Sequence, residues 1–215
     1  MKKGYTHLII LIDRSGSMTS IKEDMEGGLV TFLEEQKKLP GKCTLTVAHF
    51  DAEYEKVHSM VDINTVESIK INPRATTALL DAMSILIVEA GEELSFLNEE
   101  ERPEKVLFIT ITDGEENSSR ECTTAKLKNM ITEQTEKYNW QFVYLGANQD
   151  AIMVASTFGV SSTSTMTYNA TSAGSANMFF NLTSATSRYR STTTMDNLNV
   201  FEFTQDEQDQ TLNSK

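Results

Sequence analysis

Cysteine is scarce in this chain. Two residues in 215, Cys43 and Cys122, cannot build a disulfide framework, and no second pair gives them the spacing of a zinc site. Cys43 falls in an expected strand, where a buried thiol acts as a small apolar side chain. Long apolar runs are missing too. The one nearest the start, Leu8 to Ile12, is broken at Asp13-Arg14, too soon for a signal peptide or a membrane-spanning helix. Both absences lead us to expect a cytoplasmic protein. Positive charge is in deficit: 19 Lys and Arg stand against 31 Asp and Glu, a net charge of -12. That argues against general binding to nucleic acid or to an anionic membrane, and favours partners that are basic or bridged by a metal ion. The three histidines, His7, His49 and His58, are scattered without paired cysteines and are expected to be structural. There is no internal repeat.

What remains is the composition of one sizeable globular domain, 39% hydrophobic and 23% charged. Leu8 to Ile12 is too short for a buried helix and rich in Ile and Leu, so it reads as a central parallel strand buried on both faces. Residues 19–38 carry Ile21, Met25, Leu29, Phe32 and Leu33 at helical spacing, with Ser17 or Thr19 as candidate caps. Gly27-Gly28 inside that helix would allow close packing on the sheet. Residues 43–50 are a strand, 54–61 a short edge hairpin strand, 62–74 less regular. A helix over 78–96 has the strongest apolar stripe. The acidic run 98–104 reads as a solvated loop. Further strands are expected at 106–112, 140–145 and 162–166, and helices at 122–137, 150–158 and 172–190. Strands alternating with helices predict a Rossmann-like, doubly wound α/β fold with a mostly parallel central sheet. The domain is expected to span 1–194, with its core over about 4–190, and 195–215 to be an acidic, loose tail.

The chemistry sits at strand ends. Leu8–Ile12 stops at Asp13, followed by Ser15 and Ser17 around Gly16. The strand at 106–112 stops at Asp113-Gly114. Thr76 or Thr77 stands just before the long helix. In an open α/β sheet the carboxyl ends of the strands are where ligands bind. Carboxylates and hydroxyls gathered there form a donor set for a hard cation. The plainer reading of Asp13-Ser15-Ser17 is a helix cap with turn hydroxyls. Glu115 and Glu116 either tune such a site or line a solvated loop. Asp81 either supports it or is exposed. Arg188, Tyr189 and Arg190 either form a contact patch or end the last helix.

Asp13-Arg14-Ser15-Gly16-Ser17-Met18, Thr77-Ala78-Leu79-Leu80-Asp81-Ala82 and Ile111-Thr112-Asp113-Gly114-Glu115-Glu116 together resemble the metal-ion-dependent adhesion site of von Willebrand factor type A domains. The resemblance covers roughly residues 4 to 190 and is strongest to the stand-alone intracellular proteins of bacteria and their phages, which would place the chain in a cytoplasm, the host's if phage-encoded. It implies Ser15, Ser17 and Thr77 as direct ligands of Mg²⁺ (Mn²⁺ or Ca²⁺ as substitutes), and Asp13 and Asp113 as ligands through water. It also implies an open position for a Glu or Asp of a protein partner. Family members commonly have Gly before the Thr ligand, whereas Ala75-Thr76 precede Thr77 here. Two other functions follow from the same residues. One is self-assembly, with Glu202, Asp206, Glu207 or Asp209 of the tail reaching a neighbouring protomer's metal. The other is metal-assisted phosphoester hydrolysis, disfavoured because residue 15 is not the second Asp that aspartyl phosphatases need.

Overall fold

The computed structural model describes residues 1–147, 150–192 and 200–212. Among the described residues six strands form one sheet: β1 (Lys2–Asp13), β2 (Lys42–Phe50), β3 (Tyr54–Asp62), β4 (Pro103–Thr112), β5 (Gln141–Ala147) and β6 (Thr165–Tyr168), in the order β3-β2-β1-β4-β5-β6. All neighbours are parallel except β3, which forms an antiparallel hairpin with β2 as its periodicity predicts. The described residues also form six α-helices that cover the sheet: α1 (Lys22–Lys37), α2 (Leu79–Ser95), α3 (Thr124–Tyr138), α4 (Ala151–Thr157), α5 (Ser172–Ser191) and α6 (Gln205–Leu212). This is the doubly wound arrangement expected from the sequence.

β1 shows why its apolar run is unbroken. Leu8, Ile10 and Ile12 enter one core with Met25, Leu29 and Phe32 of α1 and Met178 and Leu182 of α5. Ile9 and Leu11 enter the other, with Met83 and Leu86 of α2 and Leu127 and Ile131 of α3. A strand whose side chains alternate between two dry layers needs an apolar residue at every position.

Several expectations change. Gly28 of α1 does not pack on the sheet. An added Cβ there would stand 2.0 Å from a ring carbon of Phe179, so the glycine admits an α5 ring against the α1 backbone. The irregular stretch before α2 buries Ile63, Val66, Ile69 and Ile71. The acidic run is split: Glu99–Glu101 form an exposed 3-10 turn, and Pro103 and Glu104 already belong to β4.

The largest correction concerns the tail. The expected loose segment lies partly outside the described residues, at 195–199 and 213–215, but residues 200–212 are part of the domain. Phe201 is fully buried against Tyr189 and Phe203, with ring centroids 6.1 and 5.1 Å away. The Phe203 N–H donates to the Thr163 carbonyl at 2.8 Å, and Gln208 Nε2 donates to the carbonyls of Ser162 and Thr165 at 2.8 and 2.7 Å. Arg188 makes a bidentate pair with Glu207, at 2.7 and 2.8 Å. Apolar residues at alternate positions, Phe201 and Phe203, outweigh the acidic composition around them. Glu207, a candidate for reaching a neighbouring protomer, is committed to Arg188. Arg190 donates to the carbonyl of Gln36 at 2.7 Å, so these arginines clamp α5 to its neighbours and do not form a contact patch.

His7 is buried between Thr44 and Thr46, at 2.8 Å from one hydroxyl and 3.2 Å from the other. Burial pushes its pKa down to about 4, and burial together with Arg14 does the same to His49. In the unfolded chain both take up a proton near 6.5. At these two sites the unfolded state then binds more protons between those values, so the stability they contribute is full above about pH 6.5 and is lost as pH drops towards 4. Each histidine contributes on the order of 3 kcal/mol to that loss. From pH 7.5 to 4.5 the urea midpoint of the wild-type chain should fall by more than that of His49→Asn. A ring-proton titration of His7 near 6.5 in the folded protein would refute the assignment.

Candidate metal centre

Three segments meet at the carboxyl edge of the sheet, where β1 lies between β2 on one side and β4 on the other. The connection after β1 runs to β2 on one side and the connection after β4 runs to β5 on the other, and the crevice between two such strands is where α/β folds take ligands. β1 delivers Asp13 as its last residue and β4 delivers Asp113 just past its end. Thr77 stands two residues before α2.

The side chains converge. The Ser15 N–H donates to Asp13 Oδ1 at 2.6 Å, folding the loop back over the strand end. Ser15 Oγ lies 3.1 Å from Ser17 Oγ, and Ser17 Oγ donates to Asp113 Oδ1 at 2.6 Å. Neither serine acts as the helix cap of the plainer reading, because no side-chain cap bond forms at the 16–21 turn or at α1. Thr77 is buried and Thr76 is exposed, so Thr77 is the hydroxyl that joins the cluster. A Cβ built on Gly114 would stand 3.0 Å from Thr77 Oγ1, 3.6 Å from Asp13 Oδ2 and 3.7 Å from Ser15 Oγ. Oxygens from two separate segments, the β1 loop and the residues before α2, therefore face one space that a glycine at the end of β4 keeps clear.

The electrostatics suit a cation. Asp13 is fully buried, and burial pushes its carboxyl up to about 6 despite hydrogen bonds from Thr112 and Ser15. Asp113 is also raised by burial, with its bond from Ser17 opposing the shift. A carboxylate out of water needs a cation or several donors to stay ionised. Among the described residues no group of three or more His, Cys, Asp and Glu side chains gathers as a metal site would. Hydroxyls supply most of this donor set, and an all-oxygen set suits a hard divalent cation.

Other residues hold the cluster, and one of them, Asn117, lies outside the motifs. Thr112 Oγ1 donates to Asp13 Oδ2 at 2.5 Å. Asn117 holds Thr77 from both sides: its Oδ1 accepts the Thr77 N–H at 3.0 Å and its N–H donates to the Thr77 carbonyl at 3.1 Å. Glu116 neither tunes the site nor lines a solvated loop. It accepts from the N–H groups of Leu80, Ser118 and Ser119, at 2.9, 2.9 and 2.7 Å. Asp81 accepts from the N–H groups of Arg120, Glu121 and Cys122, at 2.7, 3.0 and 2.7 Å. The two carboxylates lock the start of α2 to the loop after β4. Ala75, near where the family commonly has glycine, takes φ 55°, a left-handed conformation that alanine rarely adopts.

No protein-family model matches the sequence, and no curated protein matches it. Solved structures do. One is proximal thread matrix protein 1 of the mussel byssus, with a zinc occupied MIDAS motif. It has a TM-score of 0.60 and 14% identity over 86% of this chain and 46% of that one. Another is the vWF domain of the type V pili tip protein Mfa5 of Porphyromonas gingivalis, at 0.60 and 9% over 90% of this chain and 98% of that one. This chain has the von Willebrand factor type A fold. The ArnB paralog VWA2 of Sulfolobus acidocaldarius agrees, at 0.55 and 18% over 83% of this chain and 44% of that one. The chain thus spans less than half the length of the mussel and archaeal proteins and nearly all of the pili-tip domain. Within the type A fold, the oxygen cluster stands at the carboxyl ends of β1 and β4.

Proposed function

We propose that the chain is a protein-binding module whose site holds a divalent cation and captures an acidic side chain of a partner. The observation that carries this reading is the shared space beside Gly114, faced by Thr77, Asp13 and Ser15. Ser15, Ser17 and Thr77 would be the direct ligands, with Asp13 and Asp113 acting through water. Neutral hydroxyls leave more of an ion's charge uncompensated than a cage of carboxylates does. When bound, Mg²⁺ (with Mn²⁺ or Ca²⁺ as substitutes) supplies that charge and a coordination position open to a partner's Glu or Asp. The net charge of -12 does not oppose an acidic ligand, because the ion dominates the local field. The mussel protein's zinc occupied MIDAS motif supports a metal reading of this fold. Binding is proposed over catalysis because Ser15 stands where an aspartyl phosphatase needs a carboxylate.

Two measurements test the proposal. Calorimetric titration with Mg²⁺ or Mn²⁺ should show binding to the wild-type chain and none to Asp13→Asn, with the circular dichroism spectrum unchanged. Affinity capture from a lysate should retain a partner in Mg²⁺ and lose it in chelator. Equal capture in chelator would sink the reading, as would a wild-type chain that binds no divalent cation.

A further inference from the structure

One buried carboxylate outside the oxygen cluster touches both segments that carry its hydroxyls. Asp51 follows the last residue of β2 and is 1% exposed. Its Oδ2 accepts from Arg14 Nε and from Arg74 Nε, both at 2.8 Å. Its Oδ1 accepts the Glu53 N–H at 2.7 Å, which fixes the carboxylate in the turn. Its carbonyl accepts the Ala78 N–H at 2.9 Å. Arg14 lies between Asp13 and Ser15, Arg74 three residues before Thr77, and Ala78 directly after it. The backbone continues the join: the Arg74 N–H donates to the Arg14 carbonyl at 2.7 Å, and the Gly16 N–H to the Ala75 carbonyl at 3.2 Å. Arg14 is itself buried and also paired with Glu55, so its guanidinium is not presented to a ligand.

We propose that Asp51 is a positioning residue of the cation site: through Arg14 and Arg74 it sets Thr77 at the right separation from Ser15 and Ser17. This rests on the cation-site reading above. Asp51 donates no electrons to the ion. It draws in two guanidiniums from the two segments, and each carries its own segment with it. Groups that orient metal ligands are commonly worth 10- to 100-fold in metal affinity.

Charge alone and positioning predict opposite signs for one variant. Arg74→Gln removes a positive charge near a cation site. If only the field mattered, Mn²⁺ would bind more tightly. If Arg74 holds Thr77 in register, Mn²⁺ binds about 10-fold more weakly. Arg74 is half exposed, so its loss leaves no buried charge unpaired, and Arg14 still satisfies Asp51. The probe is Mn²⁺ alone, titrated calorimetrically into the full chain. Arg74→Lys, which keeps the charge and one donor, should recover part of the affinity. Glu53→Gln removes an exposed negative charge that accepts from the outer nitrogen of Arg74 at 2.6 Å, and should leave affinity within about twofold, since an exposed pair holds little. Asp51→Asn should weaken Mn²⁺ 10-fold or more. If it fails to fold because Arg14 is stranded, Arg74→Gln decides. Amide exchange at Gly16 and Ala78, read without metal, should quicken in Arg74→Gln. Tighter or unchanged Mn²⁺ binding by Arg74→Gln overturns the proposal and leaves the cation site standing, as does a loss in Glu53→Gln equal to that in Asp51→Asn. A wild-type chain that binds no Mn²⁺ overturns both.

Discussion

Gly114→Ala should reduce divalent-cation binding at least 100-fold without unfolding the protein. The new methyl carbon would stand 3.0 Å from Thr77 Oγ1, closer than most such contacts, and 3.6 and 3.7 Å from oxygens of Asp13 and Ser15. It therefore enters the mouth of the cluster, where the proposed ion or its bound water would stand. A 100-fold loss is about 2.7 kcal/mol of binding free energy. Gly114 does not have the left-handed φ that would make any side chain strained, so the backbone accepts alanine. The overpacking cost to the fold is about 1–3 kcal/mol. Mn²⁺ calorimetry beside a thermal melt separates the two effects. An affinity within threefold of wild type would show that the space beside Gly114 is not where the ion binds. This variant is more informative than removing a ligand, because every candidate ligand stays in place.

Phe201→Ala carries the largest expected stability effect. The ring is fully buried between Tyr189 and Phe203. Its backbone is held at both ends, with the N–H donating to Gln141 Oε1 at 3.1 Å and the carbonyl accepting from Ser164 Oγ at 2.7 Å. Those bonds keep the strap in place, so the surroundings cannot collapse far into the space left. Truncating such a ring costs about 3–5 kcal/mol. For a domain of this size that lowers the thermal midpoint by roughly 10 °C. Urea unfolding gives the free energy directly. A loss below about 1 kcal/mol would mean that the segment after α5 only rests on the domain, as its acidic composition suggests.

The contrast between these two positions shows how the sequence can be read. The apolar strand ending in a carboxylate is legible because two constraints act on neighbouring residues. A central strand must be apolar throughout, and a ligand site at its end must be polar. Thr77 and Asp113 are legible for the same reason, each sitting where a regular element begins or ends. Phe201 and Phe203 were hidden because two aromatics at alternate positions are too short a signal against so many acidic neighbours. The burial of those acids' hydrocarbon neighbours is settled by contacts far away in the chain, with Ser164 and Gln141. Asp51, Arg74 and Asn117 were hidden for a different reason. Each lies in a turn or loop where charged and amide residues are usual, and only the fold brings them to the strand ends. Glu116 and Asp81 are legible as candidates, but their main partners are backbone N–H groups, which leave no mark in a sequence.

The central place of β1 in the sheet has a consequence for how the site comes into being. β1 precedes in the chain the two strands that flank it in the sheet. Ile10 pairs with Val47 on one side and with Ile109 on the other, and Thr112 reaches Asp13 across 99 residues of chain. The β1–β4 contact therefore closes a long loop, which is slow to form compared with local structure. On the ribosome, Asp13 and Ser15 emerge early and wait, facing water, until residues beyond 113 have left the exit tunnel. The strap that seals Phe201 comes later still. The proposed cation affinity would thus arise only once residues beyond 113 have paired with β1, and its appearance during synthesis would time the closing of the sheet.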